Sequence, residues 1–350
     1  MALSAYDAAL KSLSGTGPEF GGGLSNHGAM AVGALVSLGK PEQARRWLDG
    51  YITRLPGRPE PVKPLTRQSW RDGLGDLARY SDWSSFFQRE TGQLGWQQVV
   101  REWLPRLIPG LTGAAGHGLI RTAYALEQVR QEAVELRLVE LADAMAYWAG
   151  SYFKLPGILA PLSAGKFSPA EALAQITWKH KGNPLRSGRL SGHLQSLDGY
   201  SPFSGVVNLV TVPPEPETLL GEVASSMAKV QLAHQDQPQT LIPFLHGIIV
   251  AGAARLVAPH LDEAGAILLV RYAWQFGGAL YAVYGQSNPV AQPGAVSTDA
   301  DALIEAALQT GDEHAFIGTD FCLREYRHSS DLALLAAAWD ALQRLPALSL

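Results

Sequence analysis

Histidine is the residue type in this chain best suited to chemistry, and it recurs in one setting. His27, His117 and His246 each precede a glycine, in "LSNHGAM", "GAAGHGLIRTAYAL" and "PFLHGIIVAG". With 9 His and 36 Gly in 350 residues, composition alone supplies 9 × 36/350, or about one such dipeptide. His314, in "GDEHAF", is placed alike: Gly311 ends one helix and Asp312 caps the next, which puts the ring at the second helical position. Ser25 or Asn26 serves as cap for a helix with His27 in its first turn, and the loop "LTGAAG" delivers His117 to another first turn. His246 lies near the start of its helix or just past a kink, because Pro243 stands three residues before it.

A helix N-terminus carries partial positive charge. It therefore disfavours imidazolium and favours the neutral ring that a metal ion requires. Residues three, four and seven further on share a face with the first. His27 is thus flanked by Met30, Ala31 and Ala34, and His246 by Val250 and Ala253, mostly small residues that leave room for a metal or substrate. The same face carries Arg121 and Tyr124 beyond His117, polar groups suited to an oxygen-rich ligand or to a hydrogen bond behind a metal ligand. Spacings of 90, 129 and 68 residues make this a constellation drawn from separate helices, with no local motif behind it. The competing reading is that each histidine is a cap or a satisfied core residue.

The other histidines have plainer settings. His180 and His193 belong to the basic stretch "WKHKGNPLRSGRLSGH", read as a solvated loop before an anion site or a lid. His234, His260 and His328 stand at helix ends, where capping and solvent account for them. "GTGPEFGGG" misses the G-x-G-x-x-G spacing, follows no strand and contains a proline. No Walker loop, H-E-x-x-H pair or G-x-S-x-G elbow is present.

The elements that must position these rings are helical. Apolar periodicity predicts helices over 27–38, from Pro41 to the Pro56-Gly57 stop, and over 79–92, 95–107, 117–131 and the stretch beginning "VELRLVELADAMAYWAG". Later ones fall at 168–178, 214–235, 239–257, 262–283, 299–310, 313–326 and 330–344. The proline-studded "LPGRPEPVKPLTRQSWRDGLGD" cannot be regular and is expected to wrap the surface or cover an opening. Only "SGVVNLVTV", 204–212, reads as a strand. The fold class is all-α, helix pairs of uneven length about a buried pocket, taken as one domain over 1–350.

A chain that is 47% hydrophobic and 17% charged, with nine Trp, can bury a large core. A formal charge of -4 without a basic stripe argues against nucleic acid as a partner. Cys322 alone excludes an intramolecular disulfide and a thiolate cage. "MALSAYDAALKSL" shows no secretion signal, so the expected location is the cytoplasm. "TLIPFLHGIIVAGAARLVAP" and "AILLVRYAWQFGGALYAVYG" approach membrane-span length but carry charge, and are read as buried core helices.

Four segments, "LSNHGAMAVGALVSLG", "PRLIPGLTGAAGHGLIRTAYAL", "TLIPFLHGIIVAGAARLVAPHL" and "DEHAFIGTDFCLREY", resemble the questin oxidase-like family in that order, over about residues 20 to 345. The resemblance implies a helical protein that oxidises aromatic polyketides. The named family activity is anthraquinone ring opening, described as an NADPH-linked Baeyer-Villiger type oxidation. Some members are described as mononuclear non-haem iron dioxygenases whose iron is held by histidines and a carboxylated lysine. The family histidines match His27, His117, His246 and His314. Family members commonly read D-E-H-x-x-K in the last segment, whereas this chain has Ile317 at the lysine position, and Tyr124 stands where many relatives have histidine.

The expectation is therefore an oxidoreductase that binds Fe(II), or another divalent transition metal, through those four histidines and activates dioxygen against a small aromatic or quinone substrate. Arg121 and Tyr124 would contact substrate or the ligands, and Asn26 would orient its neighbour. The alternatives are an NADPH-linked oxidation without metal, and a helical binding protein that has lost the lysine.

Overall fold

Caps and prolines set the helix boundaries. Ser4 accepts from the Asp7 backbone N–H to open α1 (Ala5–Leu13), and Pro41 occupies the first turn of α3 (Pro41–Tyr51), where its missing N–H costs nothing. The structure, a computed structural model, describes residues 4–180, 188–286 and 299–346. Within it the chain forms two compact units, one up to Phe153 and one from Lys154 onward.

In the first unit, α1 is followed by a two-stranded antiparallel hairpin, β1 (Glu19–Phe20) and β2 (Leu24–Ser25), which turns the chain into α2 (Gly28–Ser37). After α3 come α4 (Tyr80–Leu94), α5 (Trp96–Leu107), α6 (His117–Gln131) and α7 (Glu135–Gly150), with α7 packed on both α4 and α6. The α6–α7 approach is close because Gly118 lies over Trp148: a Cβ there would meet the Trp148 Cα at 2.6 Å. The proline-rich stretch is irregular, as expected, with 3-10 turns at Trp70–Gly73 and Leu77–Arg79. It is pinned rather than loose. The Asp82 carboxylate accepts the backbone N–H groups of Val62 and Lys63, and Arg89 donates to the Leu65 carbonyl at 2.7 Å. Trp70, Trp83 and Trp103, with Phe86 and Phe87, make an aromatic core beneath it, edge-to-face except where Trp83 stacks on Phe87.

The second unit contains α8 (Pro169–Leu173), α9 (Leu190–Gln195), α10 (Pro216–Leu232), α11 (Leu241–Val257), α12 (Glu263–Tyr284), α13 (Ala300–Thr310), α14 (Glu313–Ser329) and α15 (Leu332–Arg344). Helix α11 is its centre, packed against α10, α12 and α14. Pro243, third residue of α11, sits where no intrahelical N–H bond is lost, so the helix begins there without a kink. The two segments of membrane-span length and apolarity, Pro238–His260 and Glu263–Tyr284, have 83% and 89% of their most apolar windows buried. Inside such a core the Cys322 thiol is fully buried, and burial pushes its pKa up.

Two expectations are corrected here. Residues 204–212 do not form a strand: Val206–Asn208 is a 3-10 turn, held where Trp274 Nε1 donates to the Val206 carbonyl at 2.7 Å, and only Val210 makes a single bridge, to Phe167. The β-branched run fills core space instead of pairing. The helix expected over 168–178 ends at Leu173, after a capping box between Ser168 and Glu171. Of the basic stretch, 181–187 lies outside the described residues.

Candidate metal centre

Within the first unit, the hairpin and α6 bring two rings together. His27 Nε2 and His117 Nε2 lie 2.8 Å apart, with ring centroids at 4.6 Å and planes at 86°. His27 is the N-cap residue of α2, not a residue of its first turn, because Asn26 takes another role. The Asn26 amide donates to the Gly17 carbonyl at 2.9 Å, and its oxygen accepts the Gly28 N–H at 2.9 Å. Asn26 thereby orients its neighbour through the backbone. The buried Tyr51 hydroxyl accepts the His27 N–H at 2.8 Å and completes the clamp.

His117 is placed by a rarer device. Ala114, Ala115 and Gly116 have φ of 46°, 57° and 88°, three consecutive left-handed residues of which two are not glycine. A left-handed alanine costs about 1–2 kcal/mol, so the surrounding structure must hold this turn against its preference. The turn aims the Ala114 carbonyl back at the ring, and His117 Nδ1–H donates to it at 2.5 Å. That bond leaves the His117 Nε2 lone pair for His27 or for an ion. Two imidazole nitrogens bound at right angles to one ion at roughly 2.05 Å would lie about 2.9 Å apart. The observed 2.8 Å fits a shared ion as well as it fits a hydrogen bond in which His27 Nε2 carries the proton.

In the second unit, α11 and α14 present His246 and His314 with ring centroids 5.5 Å apart. His246 Nδ1–H donates to the Ile242 carbonyl at 2.9 Å, one turn back on its own helix, which again commits Nδ1 and leaves Nε2 its lone pair. His314 is the second residue of α14; its N–H is capped by Asp312, and its Nδ1 lies 3.1 Å from the same carboxylate oxygen. The expectation of a ring kept neutral by the helix N-terminus fails at this position. Burial disfavours the imidazolium, but the Asp312 hydrogen bond and charge, with Glu313 behind, outweigh it and raise the His314 pKa. Reciprocally, burial of Asp312 is outweighed by His314 and two backbone N–H groups, and its pKa falls.

Three of the four rings therefore share one pattern, an Nδ1–H committed to an oxygen with Nε2 turned over to something else, which is how metal-bound histidines are held. His234 shows the contrast. Its Nδ1 is bonded to the Val230 carbonyl at 2.7 Å and its Nε2 accepts the Gln286 N–H at 3.1 Å, so both nitrogens are satisfied inside a fully buried core. Its expected solvent contact is thus corrected to a core role. His193 is likewise engaged, with the Tyr284 hydroxyl at 2.6 Å.

Within their own unit, Arg121 and Tyr124 pack against α7 and α2. Arg121 forms two parallel bonds to Glu140, at 2.6 and 2.7 Å, with both side chains buried. Burial opposes charging the guanidinium, but Glu140, Tyr80 and Asp143 around it hold its pKa above the ordinary value. Beside it Asp143 takes a second fork from Arg58, at 2.6 and 2.8 Å, and the Ser84 hydroxyl at 2.5 Å. The Tyr124 ring lies on Gly33 of α2, where a Cβ would come within 2.9 Å of it. Ile317, at the position of the family lysine, is buried.

What the residue types alone did not single out are the oxygens behind the rings. Asp312 was legible as a cap two residues before His314, and that double duty was its signal. The Ala114 carbonyl had no signal beyond a Gly-flanked pair of alanines.

A family model described as Questin oxidase-like matches residues 24–316 of the 350, a span that contains all four histidines. No curated protein matches the chain significantly.

Proposed function

The chain belongs to the questin oxidase-like family, and from that premise we propose that it is an oxidoreductase acting on aromatic polyketide-type substrates, with a divalent transition metal, Fe(II) foremost, held by His27, His117, His246 and His314. The observation that supports this reading is the repeated ring geometry: Nδ1 is committed to an oxygen at His117, His246 and His314, which fixes the orientation of each ring as at a metal ligand. The missing lysine leaves imidazoles alone as the donor set, which gives a dication no anionic ligand. Asp312 partly supplies the compensating charge, one ring removed from the ion, through His314.

The metal would supply Lewis acidity and a template on which dioxygen and a substrate oxygen meet. The protein's own residues do the rest of the positioning. Tyr51 and Asn26 fix the backbone that carries His27, the left-handed turn fixes the His117 tautomer, and the Arg121–Glu140 fork keeps α6 from sliding on α7. An oxidation without metal, linked to NADPH, remains the second reading, and among the described residues it has no dinucleotide-type glycine loop behind a strand to support it. The reading as a binding protein without catalysis rests on Ile317.

Elemental analysis of protein purified without chelator is expected to give one ion per chain, lost in both His117→Ala and His246→Ala. Two ions per chain, falling to one in each single variant, would instead mean two independent two-histidine sites. Full occupancy in the double variant would refute the assignment.

A further inference from the structure

We infer that the second unit holds a binding site for a neutral, hydroxyl-rich small molecule, a free sugar or the sugar portion of a larger compound, in a cleft whose wall carries Arg255, Lys229, Asp331 and a row of serine and threonine hydroxyls. This does not rest on the metal assignment. The cleft encloses about 530 Å³, within the range of small-molecule sites.

It lies further along α11 and α14 than the two histidines those helices carry. His246 and His314 face each other at the N-terminal ends of α11 and α14, and Arg255 bonds Glu325 at 2.8 and 2.9 Å toward the other ends of the same helices. The two helices therefore run parallel and in register. Nine residues from His246 to Arg255, at 1.5 Å each, put the cleft about 14 Å along α11.

The floor is built rather than incidental. Arg255 spends Nε and Nη2 on Glu325, which leaves Nη1 for the cleft, and the guanidinium passes over Gly221, where a Cβ would meet Nη2 at 2.9 Å. Ser226, 7% exposed, lines the same space, and its hydroxyl hydrogen-bonds to no other described residue. At the rim Lys229 pairs with Asp331 at 2.9 Å. Thr218 adds a hydroxyl along the wall, while the Ser329 hydroxyl donates to the Glu325 carbonyl and that of Ser225 bonds Asp331, which holds the rim in shape.

Charge decides the ligand class. Each cation in the wall already has its carboxylate, Arg255 with Glu325 and Lys229 with Asp331, and Glu222 adds a further negative charge. An anion would meet no net positive field. A zwitterion could bind strongly only by prising these pairs apart, with the desolvation cost that implies. A polyol needs neither. Its hydroxyls donate to carboxylate lone pairs that the ion pairs leave over and accept from Nη1, Nζ and Ser226, each hydroxyl of the ligand being donor and acceptor at once.

Saturation-transfer NMR on the full chain, with glucose and phenyl glucoside as probes and glycine as the zwitterionic control, tests this. Saturation is expected to reach glucose, phenyl glucoside or both. A stronger effect on phenyl glucoside assigns a sugar attached to a larger molecule, and an equal or stronger one on glucose assigns a free sugar. Ser226→Leu, which fills the floor, is expected to reduce the effect at least fivefold, and the exposed Thr218→Val to reduce it with unchanged melting, whereas Glu42→Gln on α3 changes nothing. No saturation of either sugar, saturation of glycine alone, or an effect untouched by both cleft variants in folded protein overturns the proposal.

Discussion

Ala114 and Ala115 show most clearly how single residues serve the rings. Both hold left-handed backbone at a cost glycine would not bear, so Ala115→Gly is expected to raise the denaturation midpoint, by about 1 kcal/mol in unfolding free energy. The His117 ring should keep its single Nδ1-H tautomer in ¹⁵N spectra, since glycine adopts the same turn and the Ala114 carbonyl stays aimed. Mixed tautomers in the variant would show that the turn does not set the tautomer. The companion case is Asp312. His314 has its pKa raised, so its contribution to stability is present at low pH and lost as pH climbs through that raised value; Asp312 has its pKa lowered, and its contribution is lost only as pH falls through that lowered one. The pair is thus most favourable in the window between. Asp312→Asn should lower the His314 pKa in an NMR titration and weaken metal binding by about 10–100-fold. Neither effect would appear if the 3.1 Å contact were incidental.

Between helices, the Arg121–Glu140 fork sets the α6–α7 contact. Arg121→Leu alone leaves Glu140 buried without its partner and is expected to cost about 3–5 kcal/mol, whereas Arg121→Leu with Glu140→Leu should recover most of it. Recovery of fold together with retained metal would settle Arg121 as a positioning residue rather than a substrate contact. Most helices were legible in the sequence because caps and apolar periodicity agree: Asp312, Gly311 and the stripe behind His314 all point to one boundary. The run at 204–212 misled because β-branched residues packed into a helical core look like a strand when no partner strand is considered. Arg121 was legible as a polar residue on the His117 face. Its fate was not, because Glu140, the partner that closes its fork, lies nineteen residues away on another helix.

At the scale of the whole chain, both units rely on carboxylates held ionised against burial. The Asp7 carboxyl is kept low by Arg137, and Asp331 by Lys229 and the Ala333 N–H, each outweighing the desolvation that opposes it. Because these folded values lie below those of the unfolded chain, stability should hold from neutrality down to about pH 4 and fall below it. Asp7→Asn should flatten that fall in acid denaturation of the first unit. Added Fe(II) at a hundred times its dissociation constant should stabilise the chain by about 2.7 kcal/mol, an effect that His246→Ala abolishes. The buried thiol of Cys322 has a practical corollary. A native chain whose one sulfhydryl is sealed and disfavoured as thiolate offers maleimide reagents nothing to react with, so a cysteine introduced at an exposed place such as Glu42 or Glu222 becomes the sole site of conjugation. Spin labels or fluorophores can then be installed pairwise across the protein without first engineering a background away.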